Sequence, residues 1–267
     1  MAKTQIGIWC VGAWGGVSTT AAVGLAALQH GVAPAHGLVS GLPRFANLGL
    51  ADWKQFIVGG HEIRQTSFSA EAQVLHEQSR VFDHAMLSAI SGTLSEFDSN
   101  VRTGSLINVG KTIESLADGN AKKTRKESPA AAIERISADL MEFRENNSLD
   151  QVIVVNAAST EPPLENDASE LDWSELSKRL KADSQSSIPA SSIYAVAAMM
   201  SECSYVNFTP SIGSDLPALN ELALQQGVLH VGRDGKTGET LLKSVLAPMF
   251  AARNLNVMSW VVWQKIL

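Results

Sequence analysis

The amino-acid sequence predicts an α/β protein built on a doubly wound, mainly parallel sheet. Three observations carry that expectation. The chain opens as strand, glycine-rich turn and helix, the first half of a βαβ unit. Strand-like and helix-like segments then alternate to the end, as in a parallel sheet with crossover helices. With 267 residues, 45% of them hydrophobic, the chain is long enough to bury a substantial core without disulfide staples.

Residues 5–11 (QIGIWCV) are a short apolar run ending at Gly12. That length and Ile/Val content suit a strand buried on both faces. Residues 17–30, dense in Ala and Leu, read as a helix that stops before Gly31. Phe56, Ile57 and Val58 form a second strand ending at Gly59 and Gly60. Residues 69–94 are helical in pattern, while 100–110 fit neither template. Residues 121–127 (AKKTRKE) are a basic cluster expected as solvated loop. Residues 129–147 make an amphipathic helix with Ala132, Ile133, Ile136, Leu140, Met141 and Phe143 on or near one face.

Residues 151–155 (QVIVV) are the clearest strand and run into Asn156, Ala157, Ala158, Ser159, Thr160, Glu161 and two prolines. A surface helix is expected over 172–182 and an Ala- and Met-rich helix over 188–201. A short strand over 205–208, a helix over 216–226 and a strand over 228–231 follow. The last elements are a helix over 238–253 and a strand over 257–262.

Twenty-one basic against twenty-seven acidic residues give a formal net charge of −6. A surplus of negative charge argues against non-specific binding to nucleic acid, which needs cations on phosphates. The longest clean apolar stretch, 21–28, is far short of the roughly 20 residues of a membrane-spanning helix. Met1 to Thr4 lead straight into a strand without a cleavage pattern. Only Cys10 and Cys203 are present, so no disulfide framework is implied, and a reducing cytoplasm fits. The six histidines show no zinc-type spacing, and no G-x-S-x-G elbow marks a serine hydrolase.

Chemistry concentrates in the loops that follow strands. Gly12, Gly15, Gly16, Val17, Ser18 and Thr19 lie in a glycine-rich turn between a buried strand and a helix N-terminus. Free N–H groups and the helix dipole make that arrangement an anion site. The spacing is G-x-x-G-G rather than the dinucleotide pattern G-x-G-x-x-G, so a plain strand–helix turn is the competing reading. Glu62 follows the second strand, in order the place of a ribose-binding acid. Residues 156–162 leave the carboxyl end of the best strand, where ligands bind open α/β sheets. Residues 232–240 (GRDGKTGET) combine Asp234, Lys236 and Thr237 with flexible glycines, without the spacing of a phosphate-binding P-loop.

Taken together, VGAWGGVSTTAAVGLAAL, GLPRFANLGLADW, VGGHEIR, VIVVNAASTEPP, YVNFTPS and GRDGKTGETLLKSVLAPMF resemble the inositol-3-phosphate (myo-inositol-1-phosphate) synthase family in its bacterial form. The resemblance runs from Ile6 to about Trp260 and implies an NAD-binding Rossmann-type fold. It implies NAD-dependent cyclisation of D-glucose 6-phosphate to 1D-myo-inositol 3-phosphate, an isomerase reaction with no net redox change. It places Gly12, Gly15, Gly16, Val17, Ser18 and Thr19 at the dinucleotide turn and Glu62, where the family has Asp, near the adenosine ribose. Ala158, Ser159 and Thr160 fall at a second cofactor-contacting turn. Asp234 falls near the nicotinamide and Thr237 near the diphosphate and a bound mono- or divalent cation, while Lys236, by its place in that loop rather than by a family match, is the candidate catalytic lysine that would reach a phosphate.

The family's substrate-binding lysines, its G-N-x-D-G segment and most of its catalytic and tetramerisation domain have no counterpart in these 267 residues. The expected division is therefore an NAD-binding domain over 1–256 and the start of a truncated catalytic domain over 257–267. The expected partners are a small sugar phosphate and, by resemblance, copies of the same chain in a homotetramer, with no nucleic acid and no membrane. Two alternatives stay open at this point. One is a catalytically incompetent NAD-binding protein, the other a separate NAD-dependent sugar dehydrogenase.

Overall fold

A computed structural model of the protein describes residues 4–162, 170–182, 188–235 and 238–260. Their strands form one six-stranded sheet of order β3-β2-β1-β4-β5-β6, parallel at every pairing. The strands are β1 (Ile6–Val11), β2 (Phe56–Glu62), β3 (Val101–Thr103), β4 (Gln151–Asn156), β5 (Ser204–Asn207) and β6 (His230–Val231). That order reverses between β1 and β4, as in dinucleotide-binding sheets. The expected doubly wound fold is therefore present.

Alternation along β1 feeds two cores. Trp9 and Val11 face one side, with Ile136, Leu140 and Phe143 of α6 (Pro129–Asn146) and Ile193 of α8 (Ala190–Met200). Cys10 faces the other, with Ala22, Val23 and Ala26 of α1 (Gly16–Gln29) and Ile90, Leu94 and Phe97 of α3 (His84–Ser99). Helix α2 (Phe68–Ser79) packs beside α1 and α3 through Phe68 and Ala72. Helices α7 (Trp173–Ala182) and α9 (Pro217–Gln226) join α6 and α8 on the first side. Every residue of α8 from Ala190 to Met199 is buried. A helix apolar around its whole circumference belongs inside, and Ala195, Ala197 and Ala198 let its neighbours approach closely.

The departures from expectation have local causes. The segment expected as one helix over 69–94 is two, because Arg80 caps α2 in the left-handed conformation and Asp83 caps α3 by accepting from Met86 N–H. The ambiguous 100–110 stretch holds β3, only three residues long. β2 continues through Gly59, Gly60 and His61 to Glu62. The basic cluster is partly helical. α4 (Lys111–Leu116) precedes α5 (Ala121–Thr124), whose Lys122 and Lys123 are exposed while Thr124 is buried and its hydroxyl accepts from Leu106 N–H at 3.1 Å. Val257 to Trp260 carry no strand, and residues 261–262 of that expected strand lie outside the described residues.

The chain divides into two compact units, Met1–Arg233 and Asp234–Leu267. The first carries the whole sheet. The second holds α10 (Gly238–Ala252), with Pro248 inside it, and sets the Lys243 ammonium 5.8 Å from the centroid of the Trp260 ring. No helix among the described residues is long and apolar enough to cross a membrane.

Candidate functional site

The carboxyl ends of β1, β2, β4 and β5 meet at the strand-order reversal, and the polar residues of the first unit gather there. β1 is followed by Gly12, whose φ of +78° is costly for any residue with a Cβ. Its N–H and that of Ala13 both donate to the His61 carbonyl, at 2.9 and 3.0 Å. A Cβ on Gly60 would lie 2.2 Å from the Cys10 carbonyl oxygen, so only glycine lets β2 pass so close to the turn. Gly15 is the N-cap of α1 and offers no side chain to cap it, and no acidic residue sits in the first turn. Helix geometry leaves the N–H groups of Gly16, Val17 and Ser18 without intrahelical acceptors. Ser18 and Thr19 are buried. Ser18 faces the Cys10 thiol, whose pKa burial pushes up to about 11. Thr19 Oγ1 has no hydrogen-bond partner among the described residues.

Trp14 holds this turn in place through all of its polar groups. Its N–H donates to Glu62 Oε2 at 3.0 Å. Its carbonyl accepts from Arg64 Nη2 at 2.6 Å. Its indole N–H donates to Asp98 Oδ1 at 2.7 Å, an oxygen that also accepts from Phe68 N–H at 2.9 Å. Burial raises the Asp98 pKa, and these two bonds oppose the shift. Glu62 is buried, and five donors converge on it. Trp14 N–H and Arg64 Nη2 reach Oε2, while Ile63 N–H, Arg64 N–H and Arg64 Nε reach Oε1. Arg64 also contacts Glu71 of α2 at 3.4 Å. The carboxylate at the end of β2 is thus a clasp for the glycine turn.

Behind the turn, His61 is fully buried. Trp9 Nε1 donates to His61 Nδ1 at 2.9 Å. An indole N–H is a donor only, so Nδ1 accepts, and the neutral ring donates from Nε2 to Asp139 Oδ2 at 2.9 Å. Burial lowers the His61 pKa more than Asp139 raises it.

Across the crevice, Asn156 Nδ2 donates to Asn207 Oδ1 and to Thr209 Oγ1, both at 3.2 Å. Asn207 Nδ2 donates to the Ser211 carbonyl at 2.6 Å. Ala158 lies against the glycine turn, since a Cβ on Gly12 would sit 3.0 Å from Ala158 Cα. Ser159 and Thr160 are exposed.

The structure therefore brings Gly12, Gly15, Gly16, Val17, Ser18, Thr19, Glu62 and the Ala158–Thr160 span (158–160) to one edge of the sheet. Asp234 is exposed and belongs to the second unit. Lys236 and Thr237 lie outside the described residues. Sequence reasoning missed Arg64, Asp98, Asn207 and Thr209. Arg64 was visible in VGGHEIR as a cation two residues beyond the acid, whereas nothing local marks Asp98.

A cavity of about 470 Å³ opens at the opposite edge, lined by Gln29, Lys54, Phe56, Phe97 and Asn147 among others. Gln29, Phe97 and Asn147 lie at the C-terminal ends of α1, α3 and α6. Helix C-termini present carbonyls and negative dipole ends, which disfavour a phosphate there, with Lys54 the one basic side chain among the described lining residues.

Fold and site define a doubly wound α/β domain whose crevice suits a dinucleotide. Residues 6–252 match the family model described as myo-inositol-1-phosphate synthase, and the chain belongs to that family. Inositol-3-phosphate synthase 1 of Bacteroides thetaiotaomicron is 31% identical over 273 aligned residues, which cover 97% of this chain and 61% of that relative. The chain thus spans about three-fifths of that relative's length. The crystal structure of inositol-3-phosphate synthase from Caenorhabditis elegans superposes with a TM-score of 0.70 at 18% identity, covering 94% of this chain and 53% of that one. A myo-inositol-1-phosphate synthase-related protein from Thermotoga maritima gives 0.61 at 18% identity, covering 94% and 60%.

Proposed function

We propose that this chain binds NAD in the crevice at the strand-order reversal, as the cofactor-holding part of an inositol-3-phosphate synthase. The reaction would convert D-glucose 6-phosphate to 1D-myo-inositol 3-phosphate. One observation carries the proposal: the uncapped start of α1 faces a crevice that the glycine turn keeps open, in a chain of the synthase family. A dinucleotide fits on the structure's own terms. Gly12 adopts a conformation that keeps side-chain atoms out, and Thr19 Oγ1 is buried without a partner.

The N–H groups of Gly16, Val17 and Ser18 would hold the diphosphate, with Thr19 as hydroxyl donor. Glu62 would take the adenosine ribose. Its bonds to the Arg64 guanidinium, at 3.2 and 3.4 Å, are the ones open to exchange. Ala158, Ser159 and Thr160 would line the other half of the crevice. NAD, when bound, supplies a reversible hydride acceptor, which lets a sugar carbinol be oxidised and the ring product reduced with no net redox change. The chain's part is to fix the cofactor and exclude water around it. Family resemblance alone supports Asp234 as a catalytic group and Thr237 beside the diphosphate and its cation, and Lys236 enters as a catalytic cation only by its place in the same loop. The test is calorimetric titration of the purified chain with NAD, followed by an assay for inositol phosphate from glucose 6-phosphate. Saturable NAD binding is expected, and its absence would sink the proposal.

A further inference from the structure

Helix α8 begins after Pro189, which provides no side-chain cap. Its first-turn N–H groups need acceptors from elsewhere. Glu161, thirty residues earlier, provides one. Its carboxylate accepts from Ser191 N–H and, at 2.8 Å, from Ser191 Oγ. Ser191 Oγ in turn accepts from Gly213 N–H at 3.1 Å, and the Ser191 carbonyl accepts from Tyr205 Oη at 3.0 Å. Ser192 Oγ donates to the Gly213 carbonyl at 2.8 Å. The end of the loop after β4, the start of α8 and the loop after β5 are thereby tied at one carboxylate. A helix N-terminus favours the charged form of an acid, while burial raises the Glu161 pKa and the Ser191 bonds oppose it.

The same loop is fixed at its other end, where Ala157 N–H donates to the Val11 carbonyl at 3.1 Å. Between these anchors stand only Ala158, Ser159 and Thr160. Doubly wound sheets bind a dinucleotide with one mononucleotide on each half. The Gly12 turn and Glu62 belong to the β1–β3 half, and the 158–160 span to the β4–β6 half.

We infer that Glu161 is a positioning residue that holds the 158–160 span in shape for the nicotinamide half of the cofactor. This rests on the NAD reading above and assigns Glu161 no contact with the cofactor. Its loss is felt on one half of the ligand only. NAD reads both halves, and AMP reads the adenosine half.

The experiment titrates NAD and AMP into the unmodified chain, Glu161→Ala and Glu161→Gln by calorimetry, with circular dichroism as a check of folding. Glu161→Ala is expected to weaken NAD about tenfold, as loss of a charge-assisted anchor allows, while AMP stays within about twofold. Glu161→Gln recovers most of the NAD affinity, because its amide oxygen still accepts from Ser191 N–H and its NH₂ donates to Ser191 Oγ. Should Glu161→Ala fail to fold, Ser191→Ala removes the hydroxyl that joins Glu161 to Gly213 N–H, leaves the Ser191 N–H bond to Glu161 in place, and carries the same split with a smaller loss. Unchanged NAD affinity in the alanine variants, or equal loss for NAD and AMP, overturns the inference while leaving the NAD reading intact. No binding of either ligand by the unmodified chain overturns both.

Discussion

Replacing Trp14 by Phe tests whether the glycine turn is preorganised by its clamp or merely compact. The substitution removes one donor, the indole N–H at 2.7 Å from Asp98 Oδ1. A hydrogen bond to a charged group is worth about 1.5–3 kcal/mol. Asp98 is half-buried, so water can replace part of what is lost. Phe68 N–H still donates to the same oxygen. The smaller ring leaves a gap that adds up to about 1 kcal/mol. The expected loss of stability is about 1–2 kcal/mol. The bonds of Trp14 to Glu62 and Arg64 survive, because they use the main chain. The turn stays attached but is less narrowly held, so NAD affinity should fall roughly three- to tenfold. Urea unfolding followed by circular dichroism should show a lower midpoint with an unchanged slope, the mark of lost stability rather than altered compactness. Asp98→Asn is the control, since its amide oxygen accepts both bonds and should stay within about 0.5 kcal/mol of the parent. A Trp14→Phe midpoint equal to the parent's, or Asp98→Asn as damaging as Trp14→Phe, would refute the clamp.

Gly12→Ala should cost about 2–4 kcal/mol and abolish measurable NAD binding, because the new Cβ is strained at positive φ and meets Ala158 backbone. Differential scanning calorimetry and NAD titration check both parts, and near-parental values would discredit the close approach. Glu62→Ala should weaken NAD and narrow its advantage over NADP, since a carboxylate there opposes a 2′-phosphate. Tighter NADP than NAD binding by the unmodified chain would show the ribose assignment to be wrong. The buried His61 has a lowered pKa, so between its folded and unfolded values the unfolded chain binds more protons and stability rises with pH. Its contribution is present above about pH 6.5 and is lost as pH falls below it. Asp98 and Glu161, whose pKa values are raised, slope the opposite way at lower pH. Subtracting the profile of His61→Asn, whose Oδ1 still accepts from Trp9, isolates the histidine. A difference profile flat from pH 5 to 7 would contradict the buried neutral ring.

The parts of the fold that were legible in the sequence are those whose surroundings are uniform. β1 and β4 are flanked by other strands and covered on both faces, so each reads as a continuous apolar run. α6 is amphipathic, and the residues read onto one face, Met141 apart, are the buried ones. β3 and β6, three and two residues long, carry too few side chains for any period to show. The split between α2 and α3 rests on the Asp83 N-cap and on Arg80 adopting a left-handed conformation that few residues besides Gly and Asn advertise. At the site, the glycine turn and Glu62 were legible because a strand end and a helix start lie within a few residues of each other. The clamp was not, because its bonds join residues 48 and 84 positions apart. The Glu161 anchor spans thirty. Order along the chain placed Glu62 correctly at the end of β2. It could not show that the carboxylate turns back into the turn to meet five donors.

The two edges of the sheet are chemically opposite, and that asymmetry says more about binding than any single motif. At the carboxyl edge the buried polar groups include Ser18, Thr19, His61, Glu62, Asn156, Asn207, Thr209 and Ser211. Burying such groups is costly unless each finds a partner, and apolar replacements would make the core there more stable. Most are satisfied by their neighbours across strands. Asn207 alone accepts from Asn156 and Thr209 and donates to Ser211. Their bonds hold the loops rigid around a crevice instead of filling it. The groups left open there include the uncapped N–H groups of α1 and the unpartnered hydroxyls of Ser18 and Thr19. At the amino edge the open cavity is bordered by the ends of α1, α3 and α6, whose free groups are carbonyls. The helix ends at one edge therefore offer fixed donors to an anion, and those at the other offer acceptors beside Lys54. A diphosphate has acceptors only, so the helix polarity favours the crevice between β1 and β4 as the place where the proposed cofactor would sit.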